Sequence, residues 1–76
     1  MRILLVEDDA DLGDALLRHL RREGHAVDWQ RDGQRADDVL QYQDNDLIVL
    51  DIGLPRKDGI AILRALRQRP IEVSVR

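Results

Sequence analysis

The stretch Ile3-Leu4-Leu5-Val6-Glu7-Asp8-Asp9 joins an apolar run to three consecutive carboxylates. The same pattern returns where Leu47-Ile48-Val49-Leu50 is followed by Asp51. A run of four apolar residues predicts a buried strand, and a charge at its end costs too much free energy to serve packing alone. If the two strands are parallel neighbours, their carboxylates converge in the crevice where open α/β sheets bind ligands. The pattern therefore predicts a site for a hard divalent cation such as Mg²⁺.

The composition indicates one small domain without a nucleic-acid-binding surface. The 76 residues include 15 acidic and 12 basic ones, which leaves no basic field for direct DNA binding by this chain. There is no cysteine, so disulfides and thiolate metal sites are excluded. The apolar runs are too short to span a membrane, and Met1 leads straight into the first strand without a signal-peptide pattern. We therefore expect a cytoplasmic protein without a membrane partner.

Helix and strand patterns alternate along the rest of the chain. Residues 25–30 alternate apolar and polar side chains, which is typical of a half-buried strand at a sheet edge. Asp32-Gly33 predicts a turn, and Pro70 ends the last helix. The predicted elements are a strand at 3–6, a helix at 10–23, a strand at 25–30, a helix at 34–42, a strand at 47–50 and a helix at 59–69.

This order predicts an α/β fold with a parallel sheet wound by right-handed crossovers. The two fully apolar strands should be interior and the half-polar strand at an edge. The strand order is then 2-1-3, a partial flavodoxin-like doubly wound sheet in which the carboxyl ends of strands one and three meet. The tail, residues 70–76, alternates in polarity and can form a fourth strand or remain disordered.

A cluster of carboxylates at this meeting point needs a counter-charge. Glu7, Asp8 and Asp51 would repel one another unless a cation or protons neutralise them. Mg²⁺ can do so with one or two carboxylates, a backbone carbonyl and waters. The alternative is that the carboxylates after the first strand only cap the helix that follows. We prefer this alternative for Asp9, and the metal site for Asp8 and Asp51.

Two segments, Ile3 to Asp9 and Leu50-Asp-Ile-Gly-Leu-Pro-Arg-Lys-Asp-Gly59, carry a resemblance to a known family. They resemble the receiver domain of two-component response regulators, most closely its winged-helix transcription-factor branch, over residues 1–69. The resemblance implies a phosphoacceptor domain rather than an enzyme, with a sensor histidine kinase as phosphoryl donor. It implies that Asp51 is the phosphoacceptor. It also implies the residues of a Mg²⁺ site: Asp8 and Asp51 directly, Glu7 mainly through a metal-bound water, and Gly53 by its backbone carbonyl.

The residues agree with this function and disfavour a phosphatase. A carboxylate is a competent nucleophile toward phosphorus, because in-line transfer needs little beyond positioning and charge neutralisation. The haloacid-dehalogenase phosphatases resemble this motif but carry a second Asp two residues after the nucleophile. This chain has Gly53 there, so a general acid is missing. The remaining alternative is a fragment that binds metal or dimerises without signalling.

The chain departs from the receiver pattern near its C-terminus. The family has a Ser or Thr after its fourth strand and a Lys after its fifth. Here Ser74 is one residue out of register, and no lysine follows Lys57. We expect a receiver truncated after the third helix, with impaired phosphoryl acceptance. Strand three, or a fourth strand from the tail, becomes an exposed edge, which predicts a homodimer or domain-swapped oligomer.

Four other side chains are assigned ordinary roles. Lys57 is expected to be a solvated surface charge rather than a phosphate ligand. His19 and His25 are each isolated and predict no metal site. Trp29 is expected to pack in the core and to contact no ligand.

Overall fold

The computed structural model describes residues 1–50, 64, 67, 68 and 71–75. The four strands of the described part form one parallel sheet in the order β2-β1-β3-β4. This confirms the predicted α/β fold and the 2-1-3 order, and the tail supplies the fourth strand. The elements are β1 (Arg2–Val6), α1 (Ala10–Arg22), β2 (Ala26–Gln30), α2 (Gly33–Leu40), β3 (Leu47–Leu50) and β4 (Glu72–Val75).

The sheet buries apolar side chains on both of its faces, and β1 contributes buried residues to each face. α2 covers one face, where residues of β1 and β3 are buried. α1 covers the other face over β1 and β2. The first cluster contains Leu4, Val6, Ala36, Leu40, Ile48 and Leu50, and the second contains Ile3, Leu5 and Val27 with the half-buried Leu16, Leu17, Leu20 and Trp29 packed against it.

β3 is interior in the sheet but is fully buried on one face only. Ile48 and Leu50 are 0% exposed beneath α2. Leu47 and Val49 point to the α1 face and are only partly buried there. The reason is that α1, on this same face, packs over β1 and β2 rather than over β3. An apolar run alone does not show which face a helix will cover.

The helix ends follow local capping chemistry. The Asp9 carboxylate accepts hydrogen bonds from the backbone N–H groups of Asp11 and Leu12, both at 3.0 Å, so its predicted role as helix cap is confirmed. The chain bends at Arg31 and Asp32, where a turn at Asp32-Gly33 was predicted, and Gly33 is already the first residue of α2. Asp32 also caps α2 by accepting the N–H of Arg35 at 2.8 Å, because its carboxylate satisfies a donor that the helix leaves free.

The predicted third helix falls mostly outside the described residues, including Gly59 at its start and Pro70 at its end. Arg64 and Arg67 are described, with helical backbone and exposed side chains. Neither α1 nor α2, the helices with described bounds, is long and apolar enough to cross a membrane.

Candidate functional site

The carboxyl ends of β1 and β3 lie side by side, as the site prediction requires. Val6 and Leu50 are partners in the parallel pairing of the two strands. Glu7 continues β1 by one residue, and its N–H donates to the carbonyl of Gln30 at 3.1 Å. The predicted site residues Asp51 and Gly53 lie outside the described residues. The described part therefore contributes two of the predicted metal-site residues, Glu7 and Asp8.

Glu7 and Asp8 are adjacent in sequence but differ in environment. Glu7 is only 1% exposed, although it carries a carboxylate. Asp8 is exposed to solvent. Glutamate is seldom fully buried in proteins, and a buried carboxylate at the end of a strand in this fold is a candidate site residue.

The donor chemistry fits a hard cation. Mg²⁺ takes oxygen ligands, and these two side chains bring carboxylate oxygens to the end of an interior strand. Within residues 1–50 and the short described pieces beyond them, no group of three His, Cys, Asp or Glu side chains is arranged to hold a metal ion. The third carboxylate predicted for the site, that of Asp51, lies outside the described residues.

Glu7-Asp8-Asp9, the acidic turn, joins β1 to α1. It is held in place by the side chains of Trp29, in β2, and of Arg31, which directly follows β2. The indole Nε1–H of Trp29 donates to the backbone carbonyl of Glu7 at 2.9 Å. The guanidinium Nη2–H of Arg31 donates to the backbone carbonyl of Asp8 at 3.0 Å. Together with the Asp9 cap, these hydrogen bonds fix all three residues of the turn.

The indole reaches this position because α1 has no side chain beneath it. Gly13 is buried within α1, and a Cβ atom there would lie 2.1 Å from Cζ2 of Trp29. Glycine inside a helix costs about 1 kcal/mol relative to alanine. The helix therefore gives up some stability at the place where the indole passes over it.

Among the described residues, Trp29 and Arg31 make side-chain contacts to the site that sequence reasoning missed. Trp29 was predicted to pack, which it does, but its N–H also contacts the acidic turn. For Arg31 the sequence predicted no role. Trp29 lies in β2 and Arg31 directly follows it, and both contacts depend on the register of β2 against β1, for which the sequence carries no signal.

Comparison with known proteins identifies the family. The family model of the response regulator receiver domain matches residues 3–76. The chain belongs to the response regulator receiver family. This confirms the resemblance seen in the acidic turn and the Asp51 segment. Receiver domains are signalling domains that accept a phosphoryl group in two-component systems, and the relatives of this chain are response regulators rather than classical enzymes.

Curated relatives of this receiver include regulators of transcription. The chain is 54% identical over 75 residues to the response regulator protein PmrA of Pseudomonas aeruginosa, covering 99% of the chain and 34% of PmrA. It is 41% identical over 69 residues to the transcriptional regulatory protein QseB of Escherichia coli O157:H7, covering 91% of the chain and 32% of QseB. The chain thus spans about a third of the length of these relatives.

Solved receiver structures share the fold. The BeF3-activated N-terminal receiver domain of Klebsiella pneumoniae RstA has a TM-score of 0.82 at 35% identity, over 99% of this chain and 67% of that one. Thermotoga maritima TrrA in complex with Mg(2+)-BeF has a TM-score of 0.83 at 27% identity, over 97% and 64%. The complex of TrrA with the histidine kinase ThkA gives 0.87 at 26% identity, over 97% and 66%.

Proposed function

We propose that this receiver accepts a phosphoryl group on Asp51 from a sensor histidine kinase. The observation that carries the proposal is the pairing of Val6 with Leu50. This pairing brings the end of β3, which Asp51 follows in sequence, beside the turn that carries Glu7 and Asp8. Membership of the receiver family supports the same assignment.

The transfer needs one nucleophile and charge neutralisation. A carboxylate oxygen of Asp51 attacks phosphorus, the bond from phosphorus to the imidazole nitrogen of the phosphohistidine breaks, and its electron pair stays on the imidazole. The product on this chain is an acyl phosphate. When bound, Mg²⁺ supplies neutralisation of the negative charge on the phosphoryl oxygens.

The cation would be held by Asp8, by Asp51, by the backbone carbonyl of Gly53 and indirectly by Glu7. Support comes from the oxygen chemistry of the described pair, one carboxylate buried and one exposed at the end of β1. The similar protein TrrA was solved in complex with Mg(2+)-BeF. TrrA was also solved with the histidine kinase ThkA, which supports a kinase as partner.

We expect slow transfer in a polypeptide of these 76 residues. Ser74 is paired with Val49, two residues before Asp51, and its side chain is exposed. A hydroxyl at that position does not match the family position at the strand end. The loss of a contact between this hydroxyl and the phosphoryl group removes stabilisation of charge that develops in the transition state.

Intact mass after incubation with acetyl phosphate or phosphoramidate and Mg²⁺ tests the proposal. We expect the mass of one added phosphoryl group, its loss in Asp51→Ala, and its loss when EDTA removes the metal. Asp44→Ala is the matched control, because Asp44 is an exposed aspartate in the loop before β3, at the opposite end of the sheet. Unmodified wild-type protein, or equal modification of Asp51→Ala, would contradict the proposal.

A second candidate function is an interaction module that dimerises without signalling. Its support is the incomplete cover of the sheet, because Leu47 and Val49 are only partly buried and β4 is an edge of the described sheet. A homodimer or a domain-swapped oligomer could pair at β4. Light scattering at micromolar concentration checks this, since a stable monomer would rule out the dimer.

A further inference from the structure

We propose that Trp29 and Arg31 are positioning residues for the cation site. They hold the backbone on both sides of Asp8, and so direct its carboxylate and that of Glu7 toward a divalent cation. This inference rests on the proposed function, because it assumes that the acidic turn binds a metal. It adds to that function two side chains from the end of β2 that contact neither metal nor phosphoryl group.

The two hydrogen bonds act on successive peptide groups. The carbonyl of Glu7, which accepts from Trp29 at 2.9 Å, belongs to the peptide group before Asp8. The carbonyl of Asp8, which accepts from Arg31 at 3.0 Å, belongs to the peptide group after it. Peptide groups are planar, so the backbone of a residue turns only about φ and ψ. With both neighbouring planes held, Asp8 keeps only its side-chain torsions free.

The third restraint comes from the backbone. The N–H of Glu7 donates to the carbonyl of Gln30 at 3.1 Å, which extends the pairing of β1 and β2 by one residue. Residues 29, 30 and 31 therefore each supply one partner to the turn. Trp29 and Arg31 thus contact the acidic turn through their side chains, and Gln30 between them pairs with it through its backbone carbonyl.

The Trp29 contact is well suited to hold a fixed distance. The indole is half-buried against Ile3, Leu5 and Val27, and it lies over Gly13. Its Nε1–H can only donate. If the Glu7 carbonyl moved away, this half-buried donor would be left without an acceptor, which costs free energy. A rigid ring whose position is set by packing thus transmits the position of α1 to the acidic turn.

A positioning role and a simple charge effect of Arg31 predict opposite changes in cation affinity when Arg31 is removed. Arg31 is exposed and carries a positive charge beside the acidic turn. By Coulomb's law alone, its removal would strengthen the binding of a cation. If its main role is to hold the Asp8 carbonyl, its removal weakens cation binding. Arg31→Lys keeps the charge and an N–H donor group, so it should restore most of the affinity.

The experiment titrates the full chain with Mn²⁺, whose free form is counted by electron paramagnetic resonance, and with Mg²⁺ in competition. We expect Trp29→Phe to weaken Mn²⁺ binding about tenfold, the lower end of the effect of residues that support metal ligands. We expect Arg31→Ala to weaken it about threefold, because its hydrogen bond is exposed and an exposed hydrogen bond contributes little net free energy. Arg22→Ala is the control, because Arg22 is an exposed arginine at the far end of α1, and it should leave the affinity unchanged.

A matched replacement separates the N–H of Trp29 from its packing. Incorporation of 3-benzothienylalanine at position 29 keeps the bicyclic ring and replaces the N–H by sulfur. If the ring served packing only, this variant would bind Mn²⁺ as the wild type does, and the inference would be overturned. We expect the same loss as in Trp29→Phe. Circular dichroism checks folding, and the exposed Arg31 variants keep the test decisive if the Trp29 variants unfold.

A metal-free readout accompanies the titration. By NMR, we expect the indole N–H proton of Trp29 to exchange slowly with solvent. We expect the chemical shift of the Glu7 carbonyl carbon to change when that N–H is removed. If wild-type protein binds no cation, the proposed function fails and this inference fails with it. If wild type binds Mn²⁺ and the Trp29 and Arg31 variants bind it equally well, the inference alone is overturned.

Discussion

Gly13 of α1 lies directly beneath the indole of Trp29 in β2, so close that a Cβ atom on Gly13 would stand 2.1 Å from Cζ2. Alanine normally stabilises a helix interior relative to glycine. Here we expect Gly13→Ala to destabilise the protein by about 1–3 kcal/mol, because the added methyl group must displace the ring. Urea unfolding followed by circular dichroism measures the change.

A double-mutant cycle tests that explanation. In a Trp29→Leu background the six-membered ring is absent, so Gly13→Ala should cost much less or become stabilising. Gly24→Ala is the comparison. Gly24 has φ +92, and within the described part of the chain nothing beyond its two sequence neighbours lies within 4 Å of the place where its Cβ would stand. The cost of Gly24→Ala, about 1 kcal/mol, should therefore be independent of Trp29. Additive effects of Gly13→Ala and Trp29→Leu would show that the two residues do not interact.

Asp9 is expected to act on stability far more than on metal binding. Its carboxylate caps α1 through Asp11 and Leu12, so Asp9→Ala should cost about 1 kcal/mol of unfolding free energy. Asp9→Ser keeps a capping oxygen and should recover most of this loss. Both variants lose the same charge, so their Mg²⁺ affinities should be equal. A much weaker affinity in Asp9→Ala than in Asp9→Ser would instead indicate that the oxygen contacts the cation.

The strands and their order were predictable from the sequence because they follow from local runs and alternations of apolar residues. The runs before Glu7 and Asp51 predict two interior parallel strands, and the alternation in residues 25–30 predicts an edge strand; the sheet order agrees. The cap at Asp32 was not predictable in the same way, because Asp-Gly fits both a turn and a helix start until the next residues are known to be helical. The sequence could not reveal the partial exposure of Val49, which depends on where α1 packs.

The candidate site was predictable only in part for the same reason. Glu7 and Asp8 are visible because charge follows an apolar run. The contacts of Trp29 and Arg31 depend on the register of β2 against β1, which sequence alone does not provide. The roles of Asp51 and Gly53 remain predictions.

Ser74 should matter little for phosphorylation. It is exposed and paired with Val49 rather than placed at the end of its strand. We expect Ser74→Ala to change the rate of modification by acetyl phosphate by less than about twofold, whereas loss of a hydroxyl that contacts the transition state costs about a hundredfold. The initial rate, followed by intact mass, distinguishes the two. A large loss would mean that Ser74 takes the family's hydroxyl role despite its register.

The most direct measurement for the central claim locates the phosphoryl group. Borohydride reduces an aspartyl phosphate to homoserine, and peptide sequencing by mass spectrometry then reports the position. After incubation with phosphoramidate and Mg²⁺, we predict homoserine at position 51 alone, and none when EDTA replaces Mg²⁺. Homoserine at another aspartate, or equal conversion without the metal, would contradict the account.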